Sequence, residues 1–481
     1  MVLRTSEEFK ESLRDGRELY ILGERVQDIT AHPILCITVA HSASIFDIAE
    51  EPAVRELFTC LSPDSGQTIS RYFETPRSKE DLLRRNLLIE ECTRRCRSTF
   101  NIVKTVGTDA LFALQTIASR MDMEVGTEYL QNVKKFHNHC QESDLTIALA
   151  QTDVKGDRSL RPHEESDPDV YVRIVAKSEE GIVVRGAKAH TTAAPVSNEI
   201  IVIPTRAMSE KDADYALAFA IPTATPGLKM IARPTGSVAQ SSFDFPISRH
   251  NIETETVTIF DDVFVPWQRV FMCGEWKYAG ALATMFANFH RFTAISYKPP
   301  LGDLFVGAAQ LIAEYNGVAR ASHIREKVAR LIEYTEMTRA CAKVAALDCQ
   351  LHPSGIAVPN VVMTNVGKFH FASQFHEAVK LLQDIAGGLV ITAPSERDLL
   401  NPATSAYVDK YLAGVKGTST SDRLKIFNLI RDLTASDFGG YNLVVSLHGE
   451  GSMEAQLISM YRDYNLERCK SLVKQAADIE R

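Results

Sequence analysis

Apolar residues recur every three to four positions from Glu7 to about Cys140, most regularly between Glu80 and Leu114. That period gathers them on one side of an α-helix, so this stretch reads as helical. Thr5 and Glu8 have the spacing of a capping box, which starts the fold almost at residue 5. Between Leu145 and about Phe271 the pattern changes to short β-rich runs: 170–175, 181–185, 200–203, 215–221, 228–231 and 254–260. Turns such as Thr225-Pro-Gly and Ala193-Ala-Pro separate them. From about Tyr278 the helical period returns, with amphipathic segments near 302–316, 319–350, 361–386, 422–436 and 451–477. The expected class is α+β, mostly α. It comprises a helical domain over 1–142, a compact β-barrel or sandwich over 143–275 and a helical bundle over 276–481.

A chain of 481 residues exceeds one ordinary core, and about 150 residues per domain gives roughly three domains. A hydrophobic fraction of 45% and a charged fraction of 24% fit a globular protein. The net charge of −8 argues against a nucleic-acid or anionic-membrane partner. No apolar run is long enough to span a bilayer, and the N-terminus is too polar for a signal peptide. Nine scattered cysteines, an odd number, favour reduced thiols in a cytoplasm over a disulfide framework.

Two polar loops beside strand-like runs are the first candidates for chemistry. One is Gln151-Thr-Asp-Val-Lys-Gly-Asp-Arg158; the other is Gly186-Ala-Lys-Ala-His-Thr-Thr192, which follows a short hairpin. They set amides, hydroxyls and small residues at sheet edges, where a flat, hydrogen-bonding cofactor can lie against backbone. No Gly-x-Gly-x-x-Gly fingerprint occurs, so a nucleotide site here is not of the Rossmann type.

Other segments allow two readings each. Gly387-Gly388 is either a helix C-terminus or a place where backbone closely approaches a ligand. His290 is a packed side chain or an acid/base, since imidazole alone titrates near neutrality unaided. Lys298 is a solvated lysine or a cation facing a flavin or acyl carbonyl. Cys92 and Cys96 share a helix face, either as small hydrophobes or as half of a cluster site. Strand alternation sets Glu253 and Glu255 on one face with Val257 and Ile259; if that face is buried, a carboxylate there is a candidate base. His448-Gly-Glu-Gly-Ser452 reads as a turn and helix cap, or as an active-site wall.

Together, Tyr20–Val26 with Ala31-His-Pro33, Lys155–Arg158, Gly186–His190, Phe260–Pro266, Phe289-His-Arg291, Asp384–Leu389 and His448–Ser452 resemble the 4-hydroxyphenylacetate 3-hydroxylase family, which also contains the 4-hydroxybutyryl-CoA dehydratases. The resemblance implies an acyl-CoA-dehydrogenase-like fold with a C-terminal four-helix bundle, a homotetramer, and FAD supplied as FADH2 by a separate flavin reductase. It implies that Gln151, Thr152, Lys155, Arg158 and Thr192 hold the flavin, with Gly387 and Gly388 reaching it from a neighbouring subunit. It implies His290, Lys298 and Glu255 as catalytic residues of the dehydratase branch. The departures are informative. The three cluster cysteines of that branch fall near Asn101, near Thr105 and on Tyr297, so no iron–sulfur cluster is expected. The phenol-binding Arg, Tyr and His of the hydroxylases fall on Val106, Ala110 and Leu149. Val106, Ala110, Leu149 and Tyr297 are therefore the expected substrate pocket. The expected activity is that of a monooxygenase component acting on an aromatic or unusual cyclic substrate. The alternative is a cluster-free CoA-ester dehydratase, isomerase or dehydrogenase.

Overall fold

The computed structural model describes residues 3–63, 65–235 and 241–479. The capping box forms as expected: Thr5 Oγ1 accepts from the Glu8 amide at 3.2 Å and the Glu8 carboxylate accepts from the Thr5 amide at 2.8 Å. The short helix Ser6–Ser12 follows. The uniformly helical reading then fails, because Glu18–Ile21 and Glu24–Arg25 are strands. Glu18–Ile21 alternates half-buried and buried positions and pairs in parallel with Leu228–Pro234, far away in sequence. Four residues cannot establish a helical period, and a distant partner selects the strand.

The β region is two open sheets rather than a closed barrel. The six-stranded sheet runs Glu24–Arg25, Glu18–Ile21, Leu228–Pro234, Thr254–Pro266, Gly181–Lys188 and Arg173–Lys177. The four-stranded sheet runs Val270–Cys273, Leu217–Pro222, Glu199–Val202 and Ile147–Ala150. Both contribute to one apolar core: Val184, Met230 and Phe260 from the first, Ile200, Val202 and Phe219 from the second. The alternate residues of the smaller sheet, Ile147, Leu149, Ile201 and Ile203, enter a different core together with helices Thr105–Val125 and Tyr129–Glu142. A strand buried on both faces is a continuous apolar run without alternation. Ile147–Ala150 therefore left no period-two signal in the sequence.

In the C-terminal half, helices Trp276–Tyr315, Ser322–Leu347, Val361–Ala386 and Thr420–Thr434 pack together. Phe305, Ile312, Leu331, Phe375, Leu382, Phe427 and Ile430 share their core. Each such side chain, fully buried, contributes roughly 1.5–3 kcal/mol. The first helix begins well before residue 302 and passes through Pro299-Pro300. Proline in a helix interior removes backbone hydrogen bonds and usually ends or kinks it. Here Ile295, Lys298, Pro299 and Pro300 are all buried, and packing holds the helix through the pair. The terminal segment is two helices, Met453–Asp463 and Leu466–Ala476. No helix among the described residues is long and apolar enough to cross a membrane.

Candidate active site

A cavity of about 140 Å³ lies where the β region meets the C-terminal helices. Six aromatic side chains wall it: Phe100, Tyr297, Phe371, Phe375, Phe438 and Tyr441. Phe100 stacks on Tyr297 with ring centroids 3.8 Å apart and planes 10° from parallel.

One carboxylate organises the cavity. Glu450 is buried, and its Oε1 accepts from the Tyr297 hydroxyl and lies 3.4 Å from Lys298 Nζ. Its Oε2 lies 3.4 Å from Lys368 Nζ. Lys298 also donates to the Tyr297 hydroxyl oxygen at 2.7 Å. Glu450 is held by an unusual backbone: its own φ is +57° and that of Gly451 is +95°. Its carbonyl accepts from Arg291 Nε at 2.9 Å, and Arg291 also donates to Asn365 Oδ1 at 2.7 Å. Left-handed backbone at a non-glycine residue persists only where the surroundings impose it.

The charges shift one another. Burial works against ionisation of Glu450, yet Lys298, Lys368, His290 and the Tyr297 hydrogen bond hold its carboxyl down at about 2. Burial lowers Lys298 to about 8, with Glu450 opposing the fall. Lys368 is lowered for the same reason. Burial, then Glu450, push the Tyr297 phenol well above its ordinary range.

Two more carboxylates lie at the start of the long strand of the large sheet, Glu253 lining the cavity and Glu255 bonded to its residues Thr192 and Tyr441. Glu255 accepts from Thr192 Oγ1 at 3.0 and 2.9 Å and from the Tyr441 hydroxyl at 2.9 Å. Burial raises it above the usual carboxylate range despite these donors. Glu253 lines the cavity; burial first and the Glu255 charge second raise it to about 8. Glu253 is therefore protonated at neutral pH.

His290 projects from the long helix into the same space, its ring stacked on Phe286 at 5.1 Å. Its Nδ1 is 3.1 Å from Asp109 Oδ2. Asp109 is fully buried and also accepts from Arg85 at 2.7 Å and Thr293 at 2.9 Å. A carboxylate at Nδ1 places the hydrogen there and leaves Nε2 for the cavity.

The two polar loops meet. Lys188 Nζ, buried, donates to the Gln151 carbonyl at 2.8 Å, to Asp153 at 2.6 Å and to the Ile203 carbonyl at 3.1 Å. The Ala189 amide donates to the Thr152 carbonyl at 3.0 Å. Thr192 follows between His190 and Ala193, whose φ values are +58° and +56°. Beside this ledge the outer face of the large sheet carries a small open apolar patch, Val257 at 40% exposed and its register partner Ile231 at 49%, between the pairs Glu255–Arg233 and Ile259–Lys229. Glu255 is on the same face of that strand as Val257 and Ile259, and it bonds to Thr192, which lines the cavity. The strand's inner positions are Thr254, Thr256 and Thr258, bonded to Thr38 and Thr191. An uncovered flat apolar surface bordered by amides and hydroxyls suits a planar heterocycle.

The expected site residues therefore separate. His290, Lys298, Tyr297 and Thr192 line one cavity and Glu255 hydrogen-bonds to Thr192, while Gln151 and Thr152 form the adjoining ledge. Lys155 and Arg158 are exposed further along that loop. Gly387 and Gly388 form an exposed turn at the end of Val361–Ala386, away from the cavity. Val106, Ala110 and Leu149 do not line the cavity; they pack in the core behind the small sheet, because their strand and helix turn those positions inward. Cys92 and Cys96 are both buried and unbridged. Glu450, Lys368, Tyr441, Asp109 and Glu253 were not among the expected site residues. Of these, Glu450 lies inside the His448–Ser452 segment and Glu253 shares a strand face with Glu255, while the other three carry no local signal.

The sequence model of the 4-hydroxyphenylacetate 3-hydroxylase N terminal region matches residues 5–272, and that of its C terminal region matches residues 279–478. The chain belongs to this family. Among its members, the 4-hydroxybutyryl-CoA dehydratase/vinylacetyl-CoA-Delta-isomerase of Clostridium aminobutyricum is 33% identical, with 100% of each chain covered. The 4-hydroxyphenylacetate 3-monooxygenase oxygenase component of Thermus thermophilus is 29% identical over 98% of this chain and 96% of the relative. An oxygen-tolerant archaeal 4-hydroxybutyryl-CoA dehydratase from N. maritimus superposes with a TM-score of 0.94 at 34% identity, covering 100% of this chain and 96% of that one. The oxygenase component of a 4-hydroxyphenylacetate 3-monooxygenase, complexed with FAD and 4-hydroxyphenylacetate, superposes with a TM-score of 0.91 at 28% identity, covering 99% of each. The hydroxylase family thus contains two reaction types on one backbone, and this chain is similar to both.

Proposed function

We propose that the chain is an FAD-dependent oxidoreductase, the oxygenase component of a two-component monooxygenase acting on a small aromatic or cyclic substrate. The observation that carries this reading is the cavity itself: a chamber with six aromatic walls around Lys298, Glu253, His290 and Glu450. A cavity of about this volume admits a single ring. Val257, Ile231, Thr192 and the Gln151–Thr152 backbone would hold the flavin ring, and Gly387-Gly388 of a neighbouring copy in a homotetramer would approach it. FAD, when bound in its reduced form, supplies the electrons for reaction with oxygen, and a separate reductase supplies the reduced flavin.

The chain's own residues bind, orient and move protons. The aromatic walls exclude water. Lys298, which donates to the Tyr297 hydroxyl and lies against Glu450, has a further ammonium hydrogen to present to a substrate oxygen. Lys298 and Glu253, each near 8, can give or take a proton at neutral pH. His290, oriented by Asp109, supplies a second acid–base group.

The test mixes anaerobically reduced FAD and the protein with oxygenated buffer in a stopped-flow instrument. Protein-dependent delay in the return of oxidised flavin, with oxygen uptake coupled to hydroxylation within a panel of phenols, is expected. Flavin reoxidation at the protein-free rate with no product would overturn it.

A second reading, a CoA-ester dehydratase, isomerase or dehydrogenase without a cluster, is favoured by the end-to-end match to the dehydratase of Clostridium aminobutyricum. Glu255 or His290 would then remove a proton α or β to a thioester. Turnover of an acyl-CoA without oxygen selects it.

A further inference from the structure

A larger cavity, about 400 Å³, adjoins the reaction chamber. Thr99 and Asn251 line both, so the two cavities are immediate neighbours. The outer part is built from helix Leu35–Glu50, the residues just after helix Lys79–Arg95, and the segment 247–251. Its lining contains three arginines, Arg95, Arg97 and Arg249, and two histidines, His41 and His250; no Asp or Glu lines it among the described residues.

These cations differ. Arg95 is satisfied by Glu91 and Glu51. Burial holds His41 at about 4, so it is neutral. Arg97 and Arg249 have no side-chain hydrogen-bond or ion-pair acceptor among the described residues, and His250 is lowered by burial first and by their two charges after it. The backbone turns to present the first of them: Arg97 and Ser98 have φ of +57° and +60°. Two consecutive non-glycine residues in the left-handed region are held there by the surrounding structure and are typical of ligand-binding segments. At the junction, Asn251 is 3% exposed and its Oδ1 has no hydrogen-bond donor. A buried unpaired polar atom is costly unless a ligand or water completes it.

We propose that this outer cavity is an oxyanion-binding vestibule. Arg97 and Arg249 clamp a phosphate or carboxylate at the tail of the substrate, Asn251 contacts its middle, and the reacting end lies in the aromatic chamber. The proposal rests on the aromatic chamber being the reaction site. Guanidinium forks recognise both anions bidentately, so the chemistry is shared by the phosphates of a CoA thioester and the carboxylate of an aromatic acid.

Direct binding separates these sources and does not depend on turnover. The FAD-loaded protein is titrated calorimetrically with adenosine 3′,5′-bisphosphate, with 4-hydroxyphenylacetate and with pyrophosphate, at low and high salt. FAD affinity is measured in parallel. The variants are Arg97→Ala, Arg249→Ala, the double variant, the double Lys replacement, and Arg325→Ala as a charge control on an exposed helix position. At least one probe should bind with salt-dependent affinity, and the double Ala variant should weaken it by about tenfold or more. Lys should restore part of the loss and Arg325→Ala none. Preference for the bisphosphate identifies a CoA-type tail, and preference for 4-hydroxyphenylacetate a carboxylate. No binding by any probe, equal binding by the double variant, or a parallel loss of FAD affinity overturns the proposal; the last result would give the cavity to the cofactor's diphosphate. Because anion binding is read without turnover, a failed oxygen assay and a failed vestibule remain distinct results.

Discussion

Glu450→Gln removes the single negative charge shared by Lys298 and Lys368 while keeping the side-chain shape. The native carboxyl is held at about 2 from an ordinary 4.5. At about 1.4 kcal/mol per pKa unit, that preference is worth about 3 kcal/mol at neutral pH. Breaking a buried ion pair from one side costs about 3–5 kcal/mol, so the two routes agree. The Glu450 contribution is fully present above pH 4.5 and is lost as pH falls towards 2. In the variant, Lys298, already about 8, and Lys368 lose their counter-charge and fall further. A lysine whose folded pKa is depressed opposes folding while protonated, and that opposition fades as pH rises. The variant should therefore be about 3 kcal/mol less stable at pH 6, with the deficit shrinking as pH rises towards 8, where Lys298 gives up its proton in the native protein as well. Urea unfolding at pH 6, 7.5 and 9, with an unchanged slope against denaturant, measures this. A deficit below about 1 kcal/mol at pH 6, or the same deficit at pH 6 and pH 9, refutes Glu450 as the organising counter-ion.

Three further outcomes follow from the same geometry. Tyr297→Phe keeps the stacking on Phe100 but removes the hydroxyl between Lys298 and Glu450; kcat should fall by about 10²–10⁴ with a stability loss of about 1 kcal/mol, and an unchanged kcat would remove Tyr297 from proton transfer. Glu253→Gln should stabilise the protein: the native carboxyl, raised to about 8, favours folding below pH 4.5 and loses that advantage as pH rises towards 8. The variant should lead by about 3 kcal/mol at pH 7 and by nothing at pH 4, and a lead independent of pH would contradict the assigned shift. Gly451→Ala meets both a φ of +95° and a contact of 2.7 Å between its Cβ and Arg291 Nη2, so a loss of about 1–3 kcal/mol is expected. Gly440→Ala, helical with nothing within 4 Å of its Cβ, should instead be neutral or gain up to about 1 kcal/mol, and thermal unfolding of the two variants compares them.

Much of the site was legible because it lies in segments with local chemical character. His290 and Lys298 stand eight residues apart in a long apolar helix, where charged side chains are conspicuous. The two polar loops stand out in the sequence, and the structure ties them together through Lys188. Glu450 was passed over because His-Gly-Glu-Gly-Ser is also an ordinary turn and cap, and only its burial beside two lysines gives it meaning. Val106, Ala110 and Leu149 pack behind the small sheet and do not line this cavity, since the side of a strand or helix that faces it is set by tertiary packing.

Hydrophobic periodicity by itself determined the helical C-terminal half, six of the strands and the switch between the two textures. These are properties of near neighbours, read through repeats of 3.6 and 2 residues. The tertiary structure alone decided three things. Glu18–Ile21 is a strand because Leu228–Pro234 pairs with it. The helix continues through Pro299-Pro300 because packing on every side outweighs two lost hydrogen bonds. The acid–base set, drawn from positions 109, 253, 255, 290, 298, 368 and 450, has its character only after folding. A carboxylate or a lysine acquires its pKa from the charges and the burial that distant segments bring to it.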